Sequence, residues 1–440
     1  MCPWARASGD ENAMPNSPLN KTMKAPTLCL TGFFLLFQAL SCVFGADDFH
    51  PVPLRAEVKA TQPMTGLVYW STSEHRKSPA ISMEFAYLRY DEVSTANGLR
   101  DWSRVERLMS EAAVRGHQLV LRLHDTYPGH PSGVPAWIKV APGYHDISVK
   151  SEGKPTGFPD WTNAEWRRFV IEFMSDFAQK YDTDPRLAFL EVGFGLWAEY
   201  HVYDPGEKVG VNFPDKSFQA EFMRHMAKEF KVTRWLISKD AHVAERTPFK
   251  ATPDLLVLPF GIFDDTFHRA WKPGYNRTGS DFFGRDRWQR SPVGGEQLID
   301  SADFARMIGE QWQTQASAFH ISFMIADQWP RWMKEEELAR HSAACGYRFK
   351  VERFEASESA ARVTIANIGV APIYYDAYPA VNGVRAAESL AGLLPGKRRE
   401  FTIASGGTAP ALNIESDRLV PGQRIEFEAN LNARVTIKAK

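Results

Sequence analysis

The chain has 440 residues, enough for two or three domains or for one large barrel with an appendage. Its 52 basic and 53 acidic residues give a formal charge of −1, which offers no electrostatic footprint for a nucleic acid or a membrane surface. Hydrophobic residues make up 44% of the chain, so it can bury a substantial core.

The first segment reads as a secretory signal. Lys21 and Lys24 precede an apolar run from Leu28 to Leu40, and Val43-Phe-Gly45 before Ala46 has the small residues of a cleavage site. The run is too short for a membrane-spanning helix. Residues 1–45 are therefore expected to be a signal peptide with an upstream extension, Met23 being an alternative start. The mature protein is expected in the periplasm or outside the cell, with no stable membrane insertion. A lipid anchor on Cys42 is a minor alternative, since Ala39-Leu-Ser-Cys42 matches a lipoprotein box poorly. Cys2, Cys29 and Cys42 fall in this segment, which leaves Cys345, no internal disulfide and no cysteine zinc cluster.

After a proline-containing lead-in over 50–63, strands and helices alternate. Strands are predicted over 65–70, 81–90, 118–124, 187–192, 235–238, 255–263 and 319–325, with Pro292-Val-Gly-Gly-Glu296 ending a further one. Helices are predicted over 102–115, 165–181, 217–230, 302–313 and 333–344 from apolar residues at helical spacing. Asp101 is a candidate cap for the first helix, and Thr162-Asn-Ala-Glu165 resembles a capping box. Long loops rich in Pro, Gly and aromatics cover 125–161 and 268–290. Alternation of this kind implies parallel strands with crossover connections. Eight strands in about 280 residues fit a (β/α)8 TIM barrel over 46–346. The first unit departs from the ideal, because its two strands are too close for a crossover helix. From Tyr347 onward period-two alternation takes over, which predicts a small all-β sandwich over 347–440. A short helix near 386–393 is the one exception considered.

The stretch from Leu187 to His201 is the most informative. Its start reads as a buried strand. If extended geometry persists, Leu190, Val192, Phe194 and Leu196 share an apolar face, while Glu191, Gly193, Gly195, Trp197 and Glu199 share the other. Glycines beside acids leave room for a ligand.

Working residues of such barrels lie at the carboxyl ends of the strands. Those ends carry His124 and Asp125, Glu199 and His201, Asp240 and His242, Asp264 and Asp265, Glu296, and Asp327 with Trp329. Two carboxylates flanking a bond are the minimal equipment for glycoside cleavage. Glu199 and Glu296 end strands four and seven, which face each other across a barrel mouth. Carboxyls about 5–5.5 Å apart there give retention through a covalent intermediate. His124, His201, Asp264, Asp265 and Asp327 are candidate hydroxyl partners, and Trp197, Trp329 and Trp161 candidate stacking platforms. Arg89 and Arg122 are read as supporting charges that pair with Glu84 or Glu191, since an isolated buried charge is costly.

Gly195-Leu-Trp-Ala-Glu-Tyr-His201, together with Pro292-Val-Gly-Gly-Glu296, resembles a bacterial family of secreted glycoside-hydrolase-like barrels. That family is related to the beta-galactosidase-type clan. The resemblance covers most of residues 64–350. It implies Glu199 as acid/base and Glu296 as nucleophile, with no cofactor and a carbohydrate as partner. Ala198 stands where the clan usually has the asparagine that holds the sugar 2-hydroxyl. Two alternatives remain at this stage: a non-catalytic carbohydrate-binding barrel, and a metal-dependent hydrolase using Asp240, His242, Asp264 and Asp265.

Overall fold

The structure is a computed structural model that describes residues 48–267, 275–299 and 301–432. The segment expected to be a signal peptide, with Cys42, and the part of the second long loop that holds His268 and Trp271 lie outside the described residues. Eight parallel strands form one sheet: β1 (Gly66–Trp70), β2 (Ile81–Arg89), β3 (Gln118–His124), β4 (Leu187–Glu191), β5 (Arg234–Ser238), β6 (Gly261–Asp264), β7 (Val293–Gly295) and β8 (Phe323–Ile325). Neighbours run in sequence order from β1 to β7, and β8 pairs with β1. A parallel bridge between Glu296 and Ile325, with the Ser322 amide on the Val293 carbonyl at 2.8 Å, joins β7 to β8 and closes the ring. This is a (β/α)8 barrel.

Alternation along the strands divides the side chains between two cores. Val68, Met83, Phe85, Val120, Phe189, Leu236, Phe263 and Phe323 fill the interior, where Phe189 stacks on Phe323 at 4.9 Å. Leu121, Leu123, Leu190 and Val192 face outward against the helices Ala164–Tyr181 and Lys216–Glu229. Because both faces are covered, β3 and β4 are buried at every position.

The C-terminal region is made of two sheets. In the larger, Phe349–Ala356, Ala361–Asn367 and Arg398–Ile403 run antiparallel, and Phe427–Leu431 joins parallel to the first. Leu54–Ala56, from the lead-in before the barrel, completes its edge against Phe427–Leu431. The smaller sheet holds Val384–Arg385, Tyr378–Val381 and Leu412–Glu415. These sheets cover the N-terminal end of the barrel. The Tyr375 hydroxyl donates to the Ala188 carbonyl, Arg418 donates to the Leu187 carbonyl at 2.5 Å, and the Gln118 amide donates to the Arg418 carbonyl at 2.8 Å. With that end covered, the carboxyl ends of the strands are the open face.

Several local expectations are corrected. Leu255-Leu-Val-Leu258 is no strand. Pro253 opens a 3-10 turn over Pro253–Val257, and β6 begins only at Gly261, after Pro259. Phe319 ends the helix Ala302–Phe319, His320 caps it in the left-handed conformation, and β8 starts at Phe323. The cap of Ala164–Tyr181 is Asn163, whose side chain accepts from the Trp166 amide at 3.0 Å, in place of Thr162. The loop 125–161 contains the short helix Ala136–Lys139 and a hairpin, Ile147–Ser151 with Lys154–Phe158. Residues 386–393 form turns, not a helix, and Leu412–Glu415 is a strand that the alternation did not reveal.

Candidate active site

The open end of the barrel holds a cavity of about 930 Å³. Glu199, His201, Trp197, Asp240, Asp264, Asp265 and Glu296 line it, together with Tyr87, Tyr127, Tyr203 and Lys239. With Trp70 and Gln328 added, residues from all eight strand ends thus meet there.

The chain brings Glu199 to this place by a route the sequence did not suggest. Extended geometry stops at Glu191, and the segment doubles back on itself. The Leu196 amide donates to the His201 carbonyl and the Tyr200 amide to the Phe194 carbonyl. Trp197, Ala198 and Tyr200 all take positive φ, at 54°, 64° and 60°. Three left-handed non-glycine residues in four positions cost roughly 1–3 kcal/mol each, a strain that persists only where the surroundings over-determine it. Gly193 is required for this packing, since a Cβ there would lie 1.9 Å from the Ala198 carbonyl oxygen. Val192, Phe194 and Leu196 are buried even so, although the extended geometry on which a shared apolar face was expected ends at Glu191.

Glu296 is delivered more simply. Its amide donates to the Asp264 carbonyl at 3.0 Å, which continues the β6–β7 ladder to the rim. Gly295 (φ +148°) lets β7 press against β6, where a Cβ would meet the Asp264 carbonyl at 2.1 Å.

At the centre lies Arg122, fully buried on β3. Its Nε donates to Glu191 at 2.6 Å, its two Nη atoms grip Asp265, and Nη1 stands 3.6 Å from Glu199. The guanidinium also faces the Phe263 ring at 4.2 Å. Burial alone would weaken this cation, but Asp265 and Glu191 outweigh it and hold Arg122 firmly protonated. Among the described residues one cation therefore serves Glu191, Asp265 and Glu199, with Glu296 close by. The shortfall of positive charge appears as retained protons. Burial, and then the Asp265 carboxylate, raise the Glu199 carboxyl well above the ordinary range. Burial and Asp265 likewise push Glu296 up to about 8.

Around this centre the other charges are paired. His201 Nδ1 meets Asp240 at 3.1 Å, and its Nε2 lies 3.8 Å from Glu199. Lys239 is ion-paired with Asp264 at 2.5 Å, and Arg246 with Glu207 at 2.6 Å. Asp327 accepts from the Trp70 amide at 3.1 Å and so fastens β8 to β1. Among the described residues no group of three His, Cys, Asp or Glu side chains is arranged to hold a metal ion. The set Asp240, His242, Asp264 and Asp265 is committed elsewhere: His242 Nδ1 to the Lys239 carbonyl, Asp264 to Lys239, Asp265 to Arg122.

Four of the residues assigned from the sequence need correction. Trp329 and Trp161 are not stacking platforms. Trp329 is fully buried, packs on Trp312 at 5.1 Å and donates to the Gln297 carbonyl; Trp161 is buried between Trp166, Phe194 and Phe218. Gln328 reaches the cavity instead. Arg89 pairs with neither Glu84 nor Glu191. The two residues lie five apart on β2, so their side chains leave opposite faces; Arg89 grips Asp91 at 2.8 and 2.9 Å while Glu84 binds Arg115 and His117. His124 is buried and lines a smaller neighbouring pocket, not the main cavity. Lys239, Tyr127 and Tyr203 were missed. Lys239 alone had a signal, as the residue directly after β5.

No family model matches the chain, and no curated protein matches it. Among solved structures, the chain is similar to the galactosidase domain of the alpha-galactosidase-sucrose kinase AgaSK, at 12% identity and a TM-score of 0.38, over 80% of this chain and 56% of that one. It is similar to the glycoside hydrolase domain of PelA from Pseudomonas aeruginosa, at 10% identity and 0.37, over 60% and 96%. It is also similar to a GH5 protein of Streptomyces cattleya solved with Manb1-4GlcNAc, at 12% and 0.42, over 64% and 80%.

Proposed function

We propose that the protein is a secreted glycoside hydrolase acting on O-glycosidic bonds of a poly- or oligosaccharide. The observation that carries this reading is that Glu199 and Glu296, from opposite sides of the barrel, line one cavity beside the shared cation Arg122. In this reading Glu199 is the general acid. Its raised proton affinity keeps a proton available at neutral pH for the leaving oxygen. Glu296 is the nucleophile: in its ionised form it bonds to the anomeric carbon as the glycosidic C–O bond breaks and the leaving oxygen takes the Glu199 proton, so Glu296 loses its charge in the ester while Glu199 gains one. Glu199 then acts as base for the water that hydrolyses the glycosyl-enzyme. Arg122 holds Asp265 and Glu191 in place and does not react. Trp197, with Tyr127 at 6.0 Å and Tyr203 at 6.1 Å, forms an aromatic rim for the sugar face.

The test is a screen of the wild type, Glu199→Gln and Glu296→Gln against polysaccharides and aryl glycosides. The reading expects turnover by the wild type and its loss in both variants. Saccharide binding without turnover in all three would leave a carbohydrate-binding barrel in its place.

A further inference from the structure

Beside the main cavity, and separated from it by Tyr87 and Tyr127, lies a second pocket of about 300 Å³. Arg89, Arg104, His124, His130 and Glu92 complete its lining. Its chemistry is the reverse of its neighbour's. The main cavity is rimmed by seven carboxylates, whereas this pocket shows two guanidiniums and two imidazoles against one glutamate. The guanidiniums are preset. Arg89 spends Nε and Nη2 on Asp91, and Arg104 turns its Nε toward Glu92 at 3.1 Å, which among the described residues leaves Nη1 of Arg89 and both Nη atoms of Arg104 to a ligand. His124 is 3% exposed, and its Nδ1 has no hydrogen-bond partner among the described residues. A buried imidazole nitrogen without a partner is costly unless something else supplies one. Burial, then Arg89, lower the His124 pKa to about 3, with Arg122 and His130 adding to the effect. The imidazole is thus neutral and sits in a positive field.

We propose that this pocket is a subsite for a negatively charged substituent, a carboxylate or a sulfate ester, on a sugar adjoining the one cleaved. The inference rests on the glycosidase reading. It adds a substrate class: acidic saccharides, with the ring lying across the Tyr87–Tyr127 partition and its anionic group among Arg89, Arg104 and His130. Forked guanidinium donors suit both anions, and the pocket volume is at the lower end for a small-molecule site.

The experiment uses inorganic sulfate, titrated calorimetrically at constant ionic strength, and matched neutral, uronate and sulfated oligosaccharides, on the wild type, Arg104→Ala and His130→Ala. Both substituted side chains are partly or fully exposed, so the fold tolerates their loss. The expected result is saturable sulfate binding that weakens at least tenfold in Arg104→Ala. At least a tenfold preference for one acidic oligosaccharide over its neutral counterpart should accompany it and collapse in the variants. The favoured substrate distinguishes carboxylate from sulfate ester. Absence of sulfate binding, or binding unchanged by Arg104→Ala, overturns the subsite. Cleavage of neutral chains alone sinks the subsite and leaves the glycosidase reading intact. Sulfate binding without cleavage of any saccharide sinks that reading and leaves an anion site.

Discussion

Near the covered end of the barrel, Glu84 is fully buried against Arg115, which grips both its oxygens at 2.7 Å, and against His117 at 2.9 Å. At the open end, Glu191, Glu199, Asp265 and Glu296 crowd around Arg122. Burial raises the proton affinity of every one of these glutamates. For Glu84 the His117 and Arg115 contacts outweigh burial and its pKa falls, whereas Glu199 and Glu296 end well above the usual range. The same side chain is thus a satisfied structural ion at one end and a proton reservoir at the other. What differs is the number of cations per carboxylate. A fold gains nothing from an unbalanced cluster, so the imbalance, together with the strained turn at Trp197–Tyr200, marks the open end as the place where stability yields to chemistry.

The largest effect that would break this contrast is on turnover. Glu199→Gln should lower kcat by about 10²–10⁴-fold on substrates with poor leaving groups, measured by reducing-sugar release, with the far-ultraviolet circular dichroism spectrum unchanged. Next is Arg122→Met, which strips the one cation from the cluster. It should destabilise the protein by about 3–5 kcal/mol in urea unfolding at pH 8, and less at pH 5, where the carboxylates can hold protons. A mild effect at both values would mean that the cluster is balanced some other way.

Glu296→Gln sharpens the comparison because stability should move opposite to activity. The folded-state pKa of Glu296, about 8, lies above its unfolded value of 4.5, so the folded state binds the extra proton. Its contribution is fully present below pH 4.5 and is lost as pH rises through 8. The variant should therefore match the wild type near pH 4.5 and exceed it at pH 8–9 by on the order of 4–5 kcal/mol, read from paired thermal melts. Glu84→Gln should do the reverse. Its folded pKa is depressed, so the ion pair stabilises above the unfolded pKa, and the variant should lose stability at neutral pH.

The pH–rate profile follows from the same imbalance. The nucleophile must be ionised and the acid protonated, and both pKa values are raised. The kcat/KM optimum should accordingly lie at or above neutral, with the acid limb falling away below about pH 8 as Glu296 gains a proton. An optimum at pH 4–5 would count against the assignment. The smallest effect expected is that of Trp197→Ala, about a tenfold rise in KM with kcat nearly kept, from loss of a stacking face.

Much of the barrel was legible because parallel strands buried on both faces read as apolar runs, as in Leu119–Leu123 and Leu187–Leu190. The pattern misled at Leu255–Leu258, where a short apolar run cannot distinguish a strand from a buried turn and only the flanking prolines hinted otherwise. It also failed at Leu54–Ala56, because no local signal tells a three-residue strand that its partner lies at Phe427–Leu431. In the site, acids at strand ends were readable from position alone, and Arg122 was readable as a buried charge in need of an acid, with the choice of Glu191 over Glu84 coming from the structure. Pairings that depend on which face a residue leaves are harder: the pattern leaves Arg89 and Arg122 open to Glu84 or Glu191, and only the five positions between Glu84 and Arg89 put those two on opposite faces. The double reversal that carries Glu199 to the rim, and the burial of Trp329, depend on contacts from distant elements and left no trace in the sequence pattern.

The most direct test of the two-glutamate chemistry is to trap the covalent intermediate. Incubating the wild type with 2-deoxy-2-fluoro glycosides that carry a good leaving group, followed by peptide mass mapping, identifies the nucleophile. We predict a single glycosyl adduct on the peptide containing Glu296, formed more slowly at pH 6 than at pH 8. An adduct on Asp265 or on Glu199 would contradict the assignment.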